Sequence, residues 1–360
     1  DHDRGLGPRE PPQQWQRLRE WLVNVQRCIM RCHPPAFYPR FLRFPPRDAE
    51  LMSTPSSSAA SGRRLDVMRL LVDNKALIAL ALLIAVSAGL SDNFLSSDNL
   101  LNVLRQTSIN AIIAMGVTFV ILTAGIDLSV GAVLALTGAF AASMTAAGLS
   151  PWLSVPGTII AGAGLGAISG LFVAFGRIQA FIVTLVAMTV LRGATLVYTD
   201  GRPVSIGVSE AADSFWNLGG GYWLGVPIPI YMMFFVYVLC WGVLHHTRFG
   251  RHVYAVGGGE KVARLSGINV NRIKISVYAI AGAFAALAGA ILAARLGSAQ
   301  PNAGTGYELD AIAAVVIGGT SLMGGRGRIF GTLIGALVIG VLNNALNIMG
   351  VSSYYQMIAK

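Results

Sequence analysis

The chain has 360 residues, of which 54% are hydrophobic and 12% charged, with a mean hydropathy of +0.61. A soluble domain carries about 25% charged residues, so this composition excludes an ordinary water-soluble enzyme or binding module. Charge is segregated as well: 21 of the first 75 residues are charged against 23 of the following 285, which makes a polar leader ahead of a membrane body. The net charge of +10 is then a topology signal, because excess Lys and Arg collects in cytoplasmic loops; no nucleic-acid partner is expected.

Residues 1–51 mix Pro, Arg, Trp and His in runs such as Arg31-Cys-His-Pro-Pro and sustain neither a helical nor a strand period. They contain no apolar core of signal-peptide length. At Met52 the composition changes to an ordinary Ser- and Ala-rich polar tail, residues 52–75, so Met52 is expected to be the native start and 1–51 a non-native or disordered leader. Cys28, Cys32 and Cys240 are too few for a disulfide framework. Cys28 and Cys32 with His33 lack the second ligand pair of a zinc site, so no metal is expected.

From residue 76 onward apolar segments follow one another with short breaks, near 76–90, 108–125, 130–149, 152–175, 178–199, 226–244, 275–297, 309–323 and 329–350. A bilayer core about 30 Å thick needs roughly 20 helical residues, so these nine are expected to span it. The fold class is an all-α polytopic membrane protein, with the membrane domain over 76–350 and the lipid bilayer as its first partner. With the amino terminus inside, the cytoplasmic loops hold Arg177, Arg248, Arg251, Lys261, Arg264, Arg272, Lys274, Arg326 and Arg328, whereas the other side has Arg105, Arg192, Arg202 and Arg295. The loop 245–274 is therefore cytoplasmic and the segment 200–225 an external loop. Glycine is frequent, with Gly162, Gly166 and Gly170, and again Gly331 and Gly335, at G-x-x-x-G spacing; in lipid this spacing lets helix backbones approach closely.

Ionisable and amide groups at membrane depth are expensive and mark candidate sites. Asp127 sits in a glycine-bounded break, Gly125-Ile-Asp-Leu-Ser-Val-Gly131; it either caps the following helix or lines a path. Asn343, Asn344 and Asn347 lie within one turn of an apolar segment, and Asn343 and Asn347, four apart, share a face. They suit either interhelical hydrogen bonding or passage of a neutral polyhydroxyl solute. Arg192 and Arg295 are expected to snorkel from helix ends. The external loop 298–307 carries Gln300 and leads into Glu308 and Asp310. Two carboxylates near a membrane raise an intramembrane aspartyl protease as a rival, but its G-x-G-D motif is missing, as are H-E-x-x-H and G-x-S-x-G. An ion-coupled secondary transporter is the other rival, with Asp127 as its coupling acid. Neither a phosphate-binding G-x-x-x-x-G-K-[ST] loop nor any cofactor motif is present, so no enzyme activity or cofactor is expected on this chain.

In the cytoplasmic loop, Glu260-Lys-Val-Ala-Arg-Leu-Ser-Gly267 reads as one short helix with Glu260 in the first turn and Gly267 as its stop. Val262, Ala263, Leu265 and Ser266 then form a small apolar knob between the basic side chains of Lys261 and Arg264. A helix this short needs tertiary contacts to persist, so it is expected to dock a partner.

The Gly125–Gly131 run, this loop, and residues 298–323 with their Gly318-Gly-Thr-Ser-Leu run resemble the membrane subunit of bacterial sugar ABC importers, in order and over about 300 residues. The loop is similar to the E-A-A…G motif of importer permeases, with Glu260-Lys-Val in place of E-A-A. The resemblance implies a ten-helix bundle, of which about nine spans are present here; residues 351–360 would begin the final helix of a chain shortened at its end. It also implies ATP-driven import of ribose or a related monosaccharide across the inner membrane. The implied partners are a cytoplasmic ATPase subunit gripping Glu260–Gly267, a periplasmic sugar-binding protein, and a second permease copy.

Overall fold

Lipid cannot hydrogen-bond the backbone, so an apolar chain crosses it as helices. The computed structural model describes residues 75–91, 93–176, 178–352, 355, 356 and 358; the expectations for 1–74 and for Arg177 lie outside the described residues. Six helices there are long and apolar enough to cross a membrane: α2 (Ser97–Leu122), α4 (Pro151–Phe175), α5 (Ala180–Thr199), α7 (Ile228–His246), α10 (Val270–Leu296) and α12 (Ile329–Ile348). Three of the nine expected spans are shorter: α1 (Lys75–Leu90, 16 residues), α3 (Val130–Ala146, 17 residues) and α11 (Tyr307–Ile317, 11 residues). At 1.5 Å per residue α11 extends about 16 Å, half of a hydrocarbon core.

The second segment starts earlier than its apolar stretch. Ser96 caps α2, accepting a hydrogen bond from the Asn99 amide at 3.3 Å, and the polar first turns with Asp98, Asn99, Asn102 and Gln106 escape a hydropathy reading. The expected external loop is also structured. β1 (Val204–Ser205) pairs antiparallel with β4 (Ser298–Ala299), and β2 (Tyr222–Trp223) with β3 (Val226–Pro227). Between them α6 (Glu210–Gly220) buries Phe215 and is capped by Ser209. Its apolar residues are spaced for one face, a pattern that window averaging erases.

α10 is the central post, packed against α2, α3 and α4. Gly162 of α4 and Gly282 of α10 are so close that a Cβ on either would run into the other's carbonyl, and Gly166 and Gly170 lie against Tyr278 and Ile275. Gly331 and Gly335 do the same for α12 against Gly318 and Ala314. The glycine repeats therefore pack helices within the bundle.

One end of the bundle gathers the basic loops. The Leu122 carbonyl accepts from the Gly325 amide at 2.9 Å, and Tyr254 Oη, on α8 (Arg248–Gly258), donates to the Gly327 carbonyl at 2.9 Å. Arg248, Arg251, Arg326 and Arg328 all lie in these segments.

Candidate functional site

Two interruptions shape the interior. Between α2 and α3 the chain leaves helical geometry, and Asp127, 1% exposed, folds back so that Oδ1 accepts the Ser129 amide at 2.8 Å and its hydroxyl at 2.6 Å. The freed Ile126 carbonyl accepts from Thr184 Oγ1 at 3.2 Å and Tyr278 Oη at 3.3 Å. Protein groups thus satisfy the broken backbone, as membrane depth demands. Asp127 stabilises the turn that launches α3.

The second interruption lies before α11. Gly304, at φ +69°, is pressed against Gly131, and a Cβ on Gly131 would run into the Gly304 carbonyl and the Glu308 carboxylate. The segment 300–306 therefore dips into the bundle as far as the start of α3. Arg192 holds it there, donating from Nη1 to the Pro301 carbonyl at 3.2 Å and the Ala303 carbonyl at 2.8 Å. This corrects the snorkelling expectation: the guanidinium turns inward because two loop carbonyls and the charge of Glu308 are there to receive it. Glu308 is buried; its Oε1 accepts the Gly306 amide at 3.2 Å. Gln300, at the exposed head of the segment, donates to Ser298 Oγ at 3.1 Å.

The bundle contains a cavity of about 430 Å³. Amides of Gln106, Asn110, Asn343 and Asn347 line it, together with Arg295, Tyr307 and Asp310. Asn343 and Asn347 share its wall, as their spacing requires. Asn344 points elsewhere and exchanges amide hydrogen bonds with Asn99 at 2.9 and 3.1 Å, joining α12 to α2. The sequence reading missed Gln106 and Asn110, although they carry the same four-residue signal as Asn343 and Asn347. Asp127 and Asn344 are outside the cavity wall, and Asp310 is on it.

At the end that gathers the basic loops, α9 (Glu260–Leu265) follows α8 and ends before Gly267, whose φ of +80° turns the chain out of the helix. Its anchor is Glu260: Oε2 accepts from Lys274 Nζ at 2.8 Å and Oε1 from Arg264 Nη2 at 3.1 Å. The hydrogen bond from Lys274, with Arg264 adding to it, holds the Glu260 carboxyl below the usual carboxylate range against the opposing effect of desolvation. Arg264 also donates to Asn271 at 3.0 Å. Ala263 packs inward, while Val262 and Leu265 are 67% and 89% exposed, an apolar pair left uncovered beside Lys261 and Ser266.

A bundle of apolar helices with interrupted spans, a polar cavity and an exposed helical knob at the basic end is the architecture of a polytopic membrane permease, a transporter subunit. The family described as "Branched-chain amino acid transport system / permease component" matches residues 99–359, and the chain belongs to it. It is similar to the ribose import permease protein of Haemophilus influenzae, 60% identical over 292 residues that cover 81% of this chain and 90% of the relative. It is likewise similar to the ribose import permease protein of Escherichia coli K12, 58% identical over 305 residues, 85% of this chain and 95% of the relative. The D-allose transport system permease protein of E. coli K12 is 42% identical over 281 residues, 78% of this chain and 85% of the relative. No solved structure matches the chain.

Proposed function

We propose that the chain is the membrane subunit of an ATP-driven importer for ribose in the bacterial inner membrane. The observation that carries this reading is the 60% and 58% identity to two ribose import permeases over nearly their full length. In this reading a cytoplasmic ATPase subunit grips α9 through Val262 and Leu265, a sugar-binding protein delivers cargo at the outer end, and a second permease copy completes a homodimer in a ten-helix-per-subunit bundle. No cofactor is needed on this chain.

The mechanism follows from the connections of α9. Force on it reaches α10 through Glu260–Lys274 and reaches α8 through the short link at Gly259. α8 bears on the Leu122 turn and, through Tyr254, on the Gly327 loop. Those two segments adjoin the break before α3 and the end of α11, so ATPase closure can shift both interrupted spans together. Two states whose balance the partners bias are sufficient for alternating access. Asn343, Asn347 and Asp310 line the path, Asp127 and Glu308 hold the two breaks, Gln300 marks the mouth, and Asn344 braces it.

The test is labelled-ribose uptake into proteoliposomes containing the chain, its ATPase and its sugar-binding protein. Uptake that requires ATP and the binding protein is expected. Uptake that survives without ATP and follows a proton gradient would support the ion-coupled alternative, with Asp127 as its acid, and defeat this one.

A further inference from the structure

We propose that the β2–β3 hairpin, tipped by Trp223 and Leu224, is an interfacial anchor whose partner is the lipid surface, at the end of α7 opposite the basic loops. The inference needs only that the chain crosses a membrane and is independent of the cargo. Trp223 pairs with Val226, which leaves a two-residue turn. Leu224 is at φ +50° and Gly225 at φ +79°, the left-handed pair of a hairpin turn whose favoured sequence is Asn-Gly or Asp-Gly. That backbone is costly for leucine, and with 82% of the residue exposed it recovers little by packing within the chain. A strained, exposed apolar residue at a turn position that suits Asn gains only when the tip enters an apolar phase.

Continuity with α7 identifies that phase. Strand alternation sends neighbouring side chains to opposite faces. Tyr222 Oη accepts from Arg105 Nη1 of α2 at 3.5 Å, while Trp223, 61% exposed, meets Tyr231 of α7 edge-on with ring centroids 5.1 Å apart. The Tyr231 hydroxyl donates to the Trp223 carbonyl at 3.1 Å, so the hairpin is fastened to that side of the helix. Tyr231 heads a stripe at three- and four-residue steps, Phe234, Val238 and Trp241, which the bundle leaves exposed. From Ser214 to Leu244 the sequence holds no Asp, Glu, Lys, Arg or His, so hairpin and stripe form one uncharged surface. The 19 residues of α7 extend about 28 Å, close to the thickness of a hydrocarbon core. Trp223 is then at one boundary and Trp241, stacked on His245 with centroids 5.8 Å apart, at the other. Trp and Tyr rings, apolar with one polar atom, favour these two depths. A soluble partner would leave the tip in water whenever it departed, whereas a bilayer covers it throughout.

The test uses the full chain in liposomes, wild type and Trp223→Phe, the difference giving the Trp223 emission. Lipids brominated near the glycerol end of the acyl chain are expected to quench that emission at least about twofold more than lipids brominated at mid-chain, as a ring at headgroup level requires. Should Trp223→Phe fail to fold, Leu224→Trp adds a reporter at the tip and is read against wild type with the same expectation. Equal or stronger mid-chain quenching puts the tip inside the hydrocarbon and overturns the interfacial role. Quenching by aqueous iodide, with none from either lipid, overturns it as well; relief of that quenching on adding the sugar-binding protein reassigns the tip to a soluble partner. None of these outcomes reads transport, so each leaves the ribose reading as it stands.

Discussion

The guanidinium of Arg192, on α5, donates to the carbonyl of Ala303 at 2.8 Å, and that one side chain holds the dipping segment 300–306 in the bundle. The same charge faces Glu308, whose carboxylate is packed against Gly131 at the start of α3. Arg192 therefore ties together three elements that meet at the inner end of the dip.

Replacing Arg192 with Leu strands two loop carbonyls and leaves a buried carboxylate uncompensated. A loss of about 2 kcal/mol or more is expected, seen as a lower unfolding temperature in detergent together with reduced uptake. Arg192→Lys keeps the charge on a shorter side chain that does not reach both carbonyls from the same backbone position, so an intermediate loss is expected. A Leu variant as stable as wild type would show that the dip holds without this tie.

Adjacent glycines in α8 give a sharper contrast. A Cβ on Gly257 would run into the Leu122 carbonyl and lie 2.5 Å from the Gly325 amide nitrogen, while one on Gly258 meets nothing within 4 Å. Gly257→Ala should cost about 1–3 kcal/mol and weaken ATP-driven uptake, since it pushes α8 off the turn it drives. Gly258→Ala should stay within about 0.5 kcal/mol of wild type. Equal thermal shifts for the two would remove α8 from the transmission route.

Where the sequence was informative, one local property was sufficient. Unbroken apolar length located the six helices long enough to cross a membrane among the described residues, with three shorter helices at the other expected spans, and Glu260 with Gly267 bracketed α9 because a first-turn carboxylate and a positive-φ glycine are short-range signals. Tertiary partners were not visible. Residues 309–323 look like a whole span, yet the helix ends at Ile317, where Gly318 caps it and Gly319, at φ +88°, turns the chain away. α6 and α8 are amphipathic and hide in window averages. The amide spacing identified Asn343 and Asn347, but Asn344 found its partner 245 residues away.

The depressed Glu260 carboxyl sets a pH dependence for the α9 anchor. Its folded value is below the ordinary glutamate value of about 4.3, so its contribution is complete above that ordinary value and disappears as pH falls through the lowered one. The side chain is 42% exposed, so solvent screening limits the effect to about 0.5 kcal/mol. Amide exchange over Glu260–Leu265 should be unaffected by this group between about pH 5 and 8 and should quicken only under stronger acid. Lys274→Met removes the first cause of the depression, so the acid transition should move to higher pH. No such movement would mean that Lys274 does not hold the carboxylate in solution.

Disrupting α9 itself should separate energy use from transport. Proline fixes φ near −65°, whereas Gly267 sits at +80°, so Gly267→Pro forces the exit turn open. Glu260→Arg opposes both Lys274 and Arg264. Each is expected to lower ribose uptake at least severalfold while the sugar-binding protein keeps its affinity for ribose, measured separately by calorimetry. Full uptake in either variant would contradict the docking role.

Asn343 and Asn344 are neighbours with opposite expected phenotypes. Asn344 is bonded to Asn99 in both directions, whereas Asn343 lines the cavity. Asn344→Leu should destabilise the bundle by about 1 kcal/mol, because Asn99 keeps only its bond to the Phe94 carbonyl and its own Oδ1 is stranded. Combined with Asn99→Leu, the second substitution should add little, giving a coupling energy of about 0.6–1.7 kcal/mol in a double-mutant cycle. Import per ATP should be unchanged in the folded fraction of these variants, since neither side chain lines the cavity. A coupling energy near zero would remove the brace between α2 and α12. A fall in import per ATP with stability intact would move Asn344 into the cargo path.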